Sequence, residues 1–163
     1  INALAGYVIN LFKAQGVPET IELCEELAPN LPPLQLDRNK ISQVLINLIQ
    51  NALQAMPDGG VLTVRTLSRK RRTGEYVMEV AVSDTGRGID DATRENIFVP
   101  FFTTKDDGTG LGLAISQRIV QAHGGEIDIR SRLGRGSTFI IRLPLPPNEE
   151  EDVEDSPTSE VML

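Results

Sequence analysis

With 163 residues, 40% of them apolar, the chain has the length of one ordinary domain with some tail to spare. Five Phe, two Tyr and no Trp put the packing on Leu, Ile, Val and Ala, and a single cysteine, Cys24, excludes a disulfide framework or a cysteine-built metal site. The net charge of −7 gathers at one end: residues 148–163 hold seven of the 23 acids and no base, which leaves 16 acids against 16 bases elsewhere and no concentrated positive face for a nucleic acid.

The chain opens on Ile1-Asn2-Ala3-Leu4, without an initiating Met or a basic signal region, and is expected to start at a break inside a longer polypeptide. Leu4, Val8, Leu11 and Phe12 recur at helical spacing over residues 1–14, until Gly16-Val17-Pro18 breaks the pattern. Ile21 to Cys24 alternates like a strand, with Cys24 read as a small buried residue, and Pro29, Pro32 and Pro33 mark a loop. Asp37 then offers an N-cap to a long helix with the stripe Ile41, Val44, Leu45, Leu48, Ile49, Ala52 and Leu53, stopped by Pro57-Asp58-Gly59-Gly60.

Two strands follow, Val61 to Leu67 and Tyr76 to Val82, and Arg69-Lys70-Arg71-Arg72 between them is read as a solvated hairpin loop. After the loop at residues 84–88, a short helix near 92–98 leads into an irregular stretch to Gly110. Leu111 to His123 forms a second strong helix capped by Gly124-Gly125. Strands at 127–131 and 138–143 enclose Gly134-Arg135-Gly136, prolines close the domain, and the acidic residues 148–163 have the composition of a disordered tail. Helices and strands in this irregular order predict a two-layer α/β sandwich.

Four clusters interrupt the scaffold. Asn47 and Asn51 lie one turn apart on one helix face, where Asn is a poor helix former. Their amides either offer a neutral hard oxygen to Mg²⁺ or pin a neighbouring loop. Asp84-Thr85-Gly86-Arg87-Gly88 puts a carboxylate at a strand end, able to accept from an exocyclic amine such as that of adenine, with glycines that let a flat ring approach; an ordinary turn has the same pattern. Gly108 to Leu113 leads straight into a helix whose first N–H groups suit a phosphate, although no Walker motif occurs anywhere in the chain. Gly136-Ser137-Thr138-Phe139 opens the last strand.

In this order the clusters resemble the ATP-binding boxes of the superfamily that joins histidine kinases, type II topoisomerases, mismatch-repair MutL proteins and the large heat-shock ATPase chaperones. Asn47 to Ala52 is similar to the asparagine box and Asp84 to Ile89 to the first glycine box. Pro100-Phe101-Phe102-Thr103-Thr104-Lys105 is similar to the phenylalanine box, Gly108 to Leu113 to the second glycine box, and Gly136 to Phe139 to the last. The resemblance covers roughly residues 17–144 and implies the Bergerat form of the sandwich, a mixed sheet with about three helices on one face. It implies that ATP is the substrate and that Asn51, assisted by Asn47, holds Mg²⁺. Asp84 would accept from the adenine amine with Thr138 supporting that end, Gly86 and Gly88 would let the ring approach, and Lys105 would reach the phosphates. Gly108, Thr109, Gly110, Leu111 and Gly112 would form the lid and its hinge, with Phe101 and Phe102 packing to anchor it and Arg87 facing solvent.

Hydrolytic members carry a Glu one turn before the magnesium Asn. Asn47 stands there and cannot act as a general base. That and the Pro-Phe-Phe-Thr-Thr-Lys sequence resemble histidine kinases of the nitrogen-regulation type. The resemblance then implies transfer to a histidine on a separate dimerisation domain lying before Ile1, with residues 1–16 the end of the connection from it and 17–147 the catalytic domain. The one histidine, His123, sits at a helix end and is read as structural. A response-regulator receiver would be the downstream partner. The domain would be cytoplasmic, monomeric alone and without membrane contact, in a protein either soluble or anchored elsewhere. An anti-sigma-factor-type serine kinase, or a module that binds ATP and transfers nothing, are the competing readings.

Overall fold

The Asp37 carboxylate accepts from the Lys40 N–H at 3.0 Å, and the apolar stripe that follows runs unbroken to Gln54. In the computed structural model, which describes residues 1–105 and 108–146, this helix α2 (Arg38–Gln54) is the centre of a three-helix layer. Helix α1 (Asn2–Gln15) packs on one side of it and α4 (Gly112–Ala122) on the other, while α3 (Asp91–Asn96) buries none of its six residues and lies outside the layer.

Below the helices runs a five-stranded mixed sheet in the order β1-β2-β3-β5-β4. Its strands are β1 (Ile21–Leu27), β2 (Gly60–Lys70), β3 (Tyr76–Asp84), β4 (Glu126–Ser131) and β5 (Ser137–Pro144). Only β1 and β2 pair in parallel, joined by α2 as the crossover; the other three pairings are antiparallel. Leu48, Val44 and Ile41 of α2 meet Leu62, Val64, Met78, Val80 and Ile141 from the sheet in one core. The two-layer sandwich expected from the element order is the observed architecture, with the helices on one face.

Helix α1 belongs to that core. It buries Leu4, Ala5, Val8, Ile9 and Phe12, while Leu11, which the spacing also put on the stripe, stays half-buried. Gly16, at φ 93°, ends the helix as expected, and the helix before this turn shares its core with everything after it. Asn2 ties the same helix to the sheet: its Nδ2 donates to the Ala28 carbonyl at 2.7 Å and its Oδ1 accepts from Thr66 at 2.6 Å.

The open face of the sheet carries the alternate residues of every strand. One row reads Cys24, Thr63, Ser83, Thr138 and Arg130. Cys24 is therefore only half-buried on an edge strand, not a core residue, since Leu23 holds the inward position beside it. The next rows form an ion-pair ladder. Arg142 Nε donates to Glu79 at 3.0 Å, and the same guanidinium lies 3.3 Å from Glu126 and 3.6 Å from Asp128. The basic hairpin joins this ladder. Arg69 and Lys70 are the last residues of β2, Arg69 pairs with Glu79 at 3.7 Å, Lys70 lies over the Tyr76 ring, and Arg71 reaches Glu126. Arg69 and Arg71 find acidic neighbours and Lys70 an aromatic one, so the solvent-facing basic run begins within β2 and only Arg71 and Arg72 belong to the hairpin loop. The acidic residues expected as a disordered tail lie outside the described residues.

Glu79 is 9% exposed, so its carboxylate depends on Arg142 more than a surface acid would. Arg142→Met is expected to lower unfolding stability by about 2 kcal/mol in urea titration, whereas Glu126→Gln, on a half-exposed partner, should change it by less than about 0.5 kcal/mol.

Candidate functional site

Between the end of α2, the loops after β3 and before β5, and residues 102–105 and 108–112 lies a cleft of about 720 Å³, within the size range of small-molecule sites. Its two ends differ in chemistry.

At one end Asp84 closes β3. Its carboxylate is buried and accepts from the Gly86 N–H at 2.9 Å. Burial pushes this carboxyl above the usual carboxylate range, opposed by the N–H groups of Gly86 and Ser137. The turn that follows lies against the last turn of α2, where Arg87 N–H donates to the Ala55 carbonyl at 3.1 Å. A Cβ on Gly86 would stand 2.2 Å from that carbonyl oxygen, so only glycine permits the contact. From the other side the Gly134 N–H donates to the Arg87 carbonyl at 2.6 Å, locking the loop before β5 onto the loop after β3.

At the other end α2 presents Asn47, Asn51 and Gln54, which recur at helical spacing and all line the cleft. Asn47 Nδ2 donates to the buried Ser116 Oγ of α4 at 3.0 Å, and a Cβ on Gly112 would fall 2.4 Å from its Oδ1. This amide holds α4 against α2, the pinning role that its position left open. Asn51 Oδ1 instead accepts from Lys105 Nζ at 2.8 Å, and the same ammonium donates to Gln54 Oε1. Burial first, and then the nearby Arg87 guanidinium, hold the Lys105 ammonium below its ordinary pKa.

Among the described residues no group of three His, Cys, Asp or Glu side chains could hold a metal ion. The amide oxygen of Asn51 is nonetheless a site that accepts a cation, since an ammonium sits on it. A neutral oxygen of this kind suits Mg²⁺ provided that a ligand's phosphate oxygens and water complete its shell.

Of the residues singled out from sequence, Asn47, Asn51, Asp84, Gly88, Lys105, Gly108, Thr109, Gly110 and Gly112 line the cleft. Gly86 stands behind its wall against α2, and Leu111 is the residue before α4, with its N–H 3.4 Å from Thr109 Oγ1. Thr138 is misplaced by the sequence reading. It lies on the open face of the sheet, 2.9 Å from Ser83 Oγ, and its neighbour Ser137 faces the cleft beside Asp84. Strand alternation gives the reason: Ser137 shares the inward side with Phe139, two residues on.

Arg87 is exposed, as expected, and it also lines the cleft. Phe101 is 75% exposed at φ 68°, and it is its backbone N–H, donating to the Gly110 carbonyl at 3.0 Å, that ties the segment; only Phe102 packs toward the core. Gln54 lies outside the asparagine box, and Ser137, though inside the last box, is given no role by the resemblance. Their periodicity with Asn47, Asn51 and Phe139 would have found both. His123 does not line the cleft. Its Nδ1 faces the Ile119 carbonyl at 2.7 Å and its Nε2 accepts from the Asp37 N–H at 3.1 Å, a neutral imidazole joining the end of α4 to the start of α2.

Residues 36–147 match the family model described as histidine kinase-, DNA gyrase B-, and HSP90-like ATPase. The chain is 39% identical over 153 residues to the signal transduction histidine-protein kinase AtoS of Escherichia coli, covering 94% of this chain and 24% of AtoS. It thus spans about a quarter of that relative's length. The catalytic domain of histidine kinase ThkA superposes with a TM-score of 0.75 at 37% identity, covering 88% of this chain and 91% of that one. Full-length ShkA, whose structure is a complex with AMPPNP, superposes with a TM-score of 0.74 at 30% identity, over 87% of this chain and 29% of ShkA. ThkA has also been seen in complex with the response regulator protein TrrA. With two polar cleft ends held on a sheet and three helices of this topology, the chain belongs to the histidine kinase-, DNA gyrase B-, and HSP90-like ATPase family, as a histidine kinase catalytic domain.

Proposed function

We propose that the cleft binds ATP with Mg²⁺ and presents the γ-phosphate to a histidine on a separate dimerisation domain of the same protein, a response-regulator receiver being the next acceptor. The observation that carries this reading is the polarity of the cleft: a buried carboxylate at one end, and amide oxygens with an ammonium and a guanidinium at the other. The carboxylate accepts from an exocyclic amine, and Ser137 beside it adds a hydroxyl, so the base lies there. Lys105 and Arg87 face the triphosphate and offset its charge. Asn51 is the residue to hold the metal, with Asn47 one turn earlier on the same helix face to assist it; Mg²⁺ would supply charge neutralisation on the phosphates.

In the transfer the bond from the γ-phosphorus to the β–γ bridging oxygen breaks, a bond to an imidazole nitrogen forms, and ADP leaves. Asn47 occupies the place from which a carboxylate would activate water, and its Nδ2 is committed to Ser116. An amide accepts no proton, so the site favours transfer to a side chain over hydrolysis. We place the domain in the cytoplasm, without nucleic-acid or membrane contact and monomeric alone. No helix among the described residues is long and apolar enough to cross a membrane.

Titration calorimetry of the chain with ATP, with and without Mg²⁺, should give saturable Mg²⁺-dependent binding and no continuing heat. Sustained turnover would refute the argument from Asn47, and absence of binding to the folded chain would refute the site. Asp84→Asn is expected to weaken ATP binding by about ten-fold or more, the worth of a hydrogen bond to a charged group.

Acidification should weaken ATP binding at a pH above that of an ordinary carboxylate, because the Asp84 carboxyl is held up and its protonation removes the charge and makes one acceptor oxygen a donor. Stability of the free chain responds with the opposite sign. The contribution of Asp84 is greatest below its unfolded pKa and is lost as pH rises through its raised folded pKa. Binding and thermal melts followed over pH in wild type and Asp84→Asn check both; the variant should flatten both profiles.

A further inference from the structure

Lys105 reaches across the cleft and gives its ammonium to two neutral oxygens, Asn51 Oδ1 at 2.8 Å and Gln54 Oε1, three residues apart on α2. Among the described residues it forms no ion pair, so ion–dipole attraction holds it where a carboxylate would have held it harder. Mg²⁺ prefers the same kind of oxygen at about 2.1 Å. A divalent ion and an ammonium on one amide oxygen repel each other strongly, so the two occupants are exclusive.

We propose that Lys105 is a place-holding cation: with no metal bound its ammonium occupies the Asn51 oxygen that Mg²⁺ needs, and Gln54 sets how firmly it stays. The inference rests on the reading above that Asn51 holds the metal. The exchange has a consequence for the cleft. Lys105 leaves Asn51 only when a stronger cation arrives, so metal binding frees the lysine for the phosphates in the same step. Gln54 is thereby a positioning residue, acting on the reaction through Lys105. Its amide suits this task, because a second neutral acceptor steadies the ammonium without trapping it.

The test uses the whole chain and a non-hydrolysable ATP analogue. With ¹⁵N-labelled lysine, the Lys105 ammonium cross-peak, identified by its loss in Lys105→Met, is expected in the free protein and should shift when Mg²⁺ and the analogue are added. In calorimetry, Gln54→Leu, at an exposed position that the fold does not need, should tighten binding of the Mg²⁺–analogue complex about three- to ten-fold, on the order of one ordinary hydrogen bond. Unchanged or weaker binding in this variant would overturn the inference. So would tightening of the same size in EDTA, since phosphate and not Mg²⁺ would then displace Lys105. If wild type shows no Mg²⁺-dependent binding, the ATP reading fails along with the inference. If that binding is intact and the Lys105 signal stays still, the place-holding role alone fails.

Discussion

The burial of α2 is the constraint on which the rest of the structure depends. Ile41, Val44, Leu45, Leu48, Ile49 and Ala52 are each at most 4% exposed, and each large side chain among them contributes about 1.5–3 kcal/mol by burial. The amides of Asn47 and Asn51 bring roughly 1 kcal/mol per hydrogen bond. Packing, then, and not polar bonding, sets the rotation of the helix. Once the apolar stripe faces the sheet with α1 and α4 on its flanks, Asn47, Asn51 and Gln54 have one direction left, into the cleft.

The two ends of that cleft are held differently. Around Asp84 the loops interlock through the backbone. Thr85 N–H donates to the Val61 carbonyl at 3.2 Å and its Oγ1 accepts from Val61 N–H at 2.9 Å, while Gly134 and Ala55 hold the Arg87 peptide from opposite sides. The carboxylate end is preorganised by contacts that its ligand does not have to make. Among the described residues 101–105 and 108–112, local bonds such as Phe101 to Gly110 and Gly108 to Lys105 hold the wall, together with the reach of Lys105 to α2.

The open face of the sheet shows how a chain with 16 acids and 16 bases before its tail uses them. Glu79, Arg142, Glu126 and Arg71 neutralise one another in register across three strands and the hairpin, so part of the basic run at residues 69–72 serves the fold. His123 does similar service between the helices, bridging the end of α4 and the first turn of α2 as a neutral ring.

Periodicity alone determined that α2 and α4 are helices with apolar stripes, and the glycine clusters alone marked the loops of the site, because turn chemistry and helical spacing are local properties of the chain. The resemblance built on their order found nine residues that line the cleft. Position across the sheet was another matter. Whether Ser137 or Thr138 faces the cleft follows from the register of β5 on β3, where one residue changes the face. The extension of β2 by Arg69 and Lys70 and the outward turn of Phe101 rest on nearer pairings, Lys70 with Tyr76 and Phe101 with Gly110. That α1 belongs to this core and that Cys24 lies on the open face depend on partners distant in sequence. Lys105 meeting Asn51, 54 residues away, is the clearest case. Local sequence sets the conformation a segment prefers; only the packed chain decides which side chains it brings together, because long-range burial and register are properties of the whole.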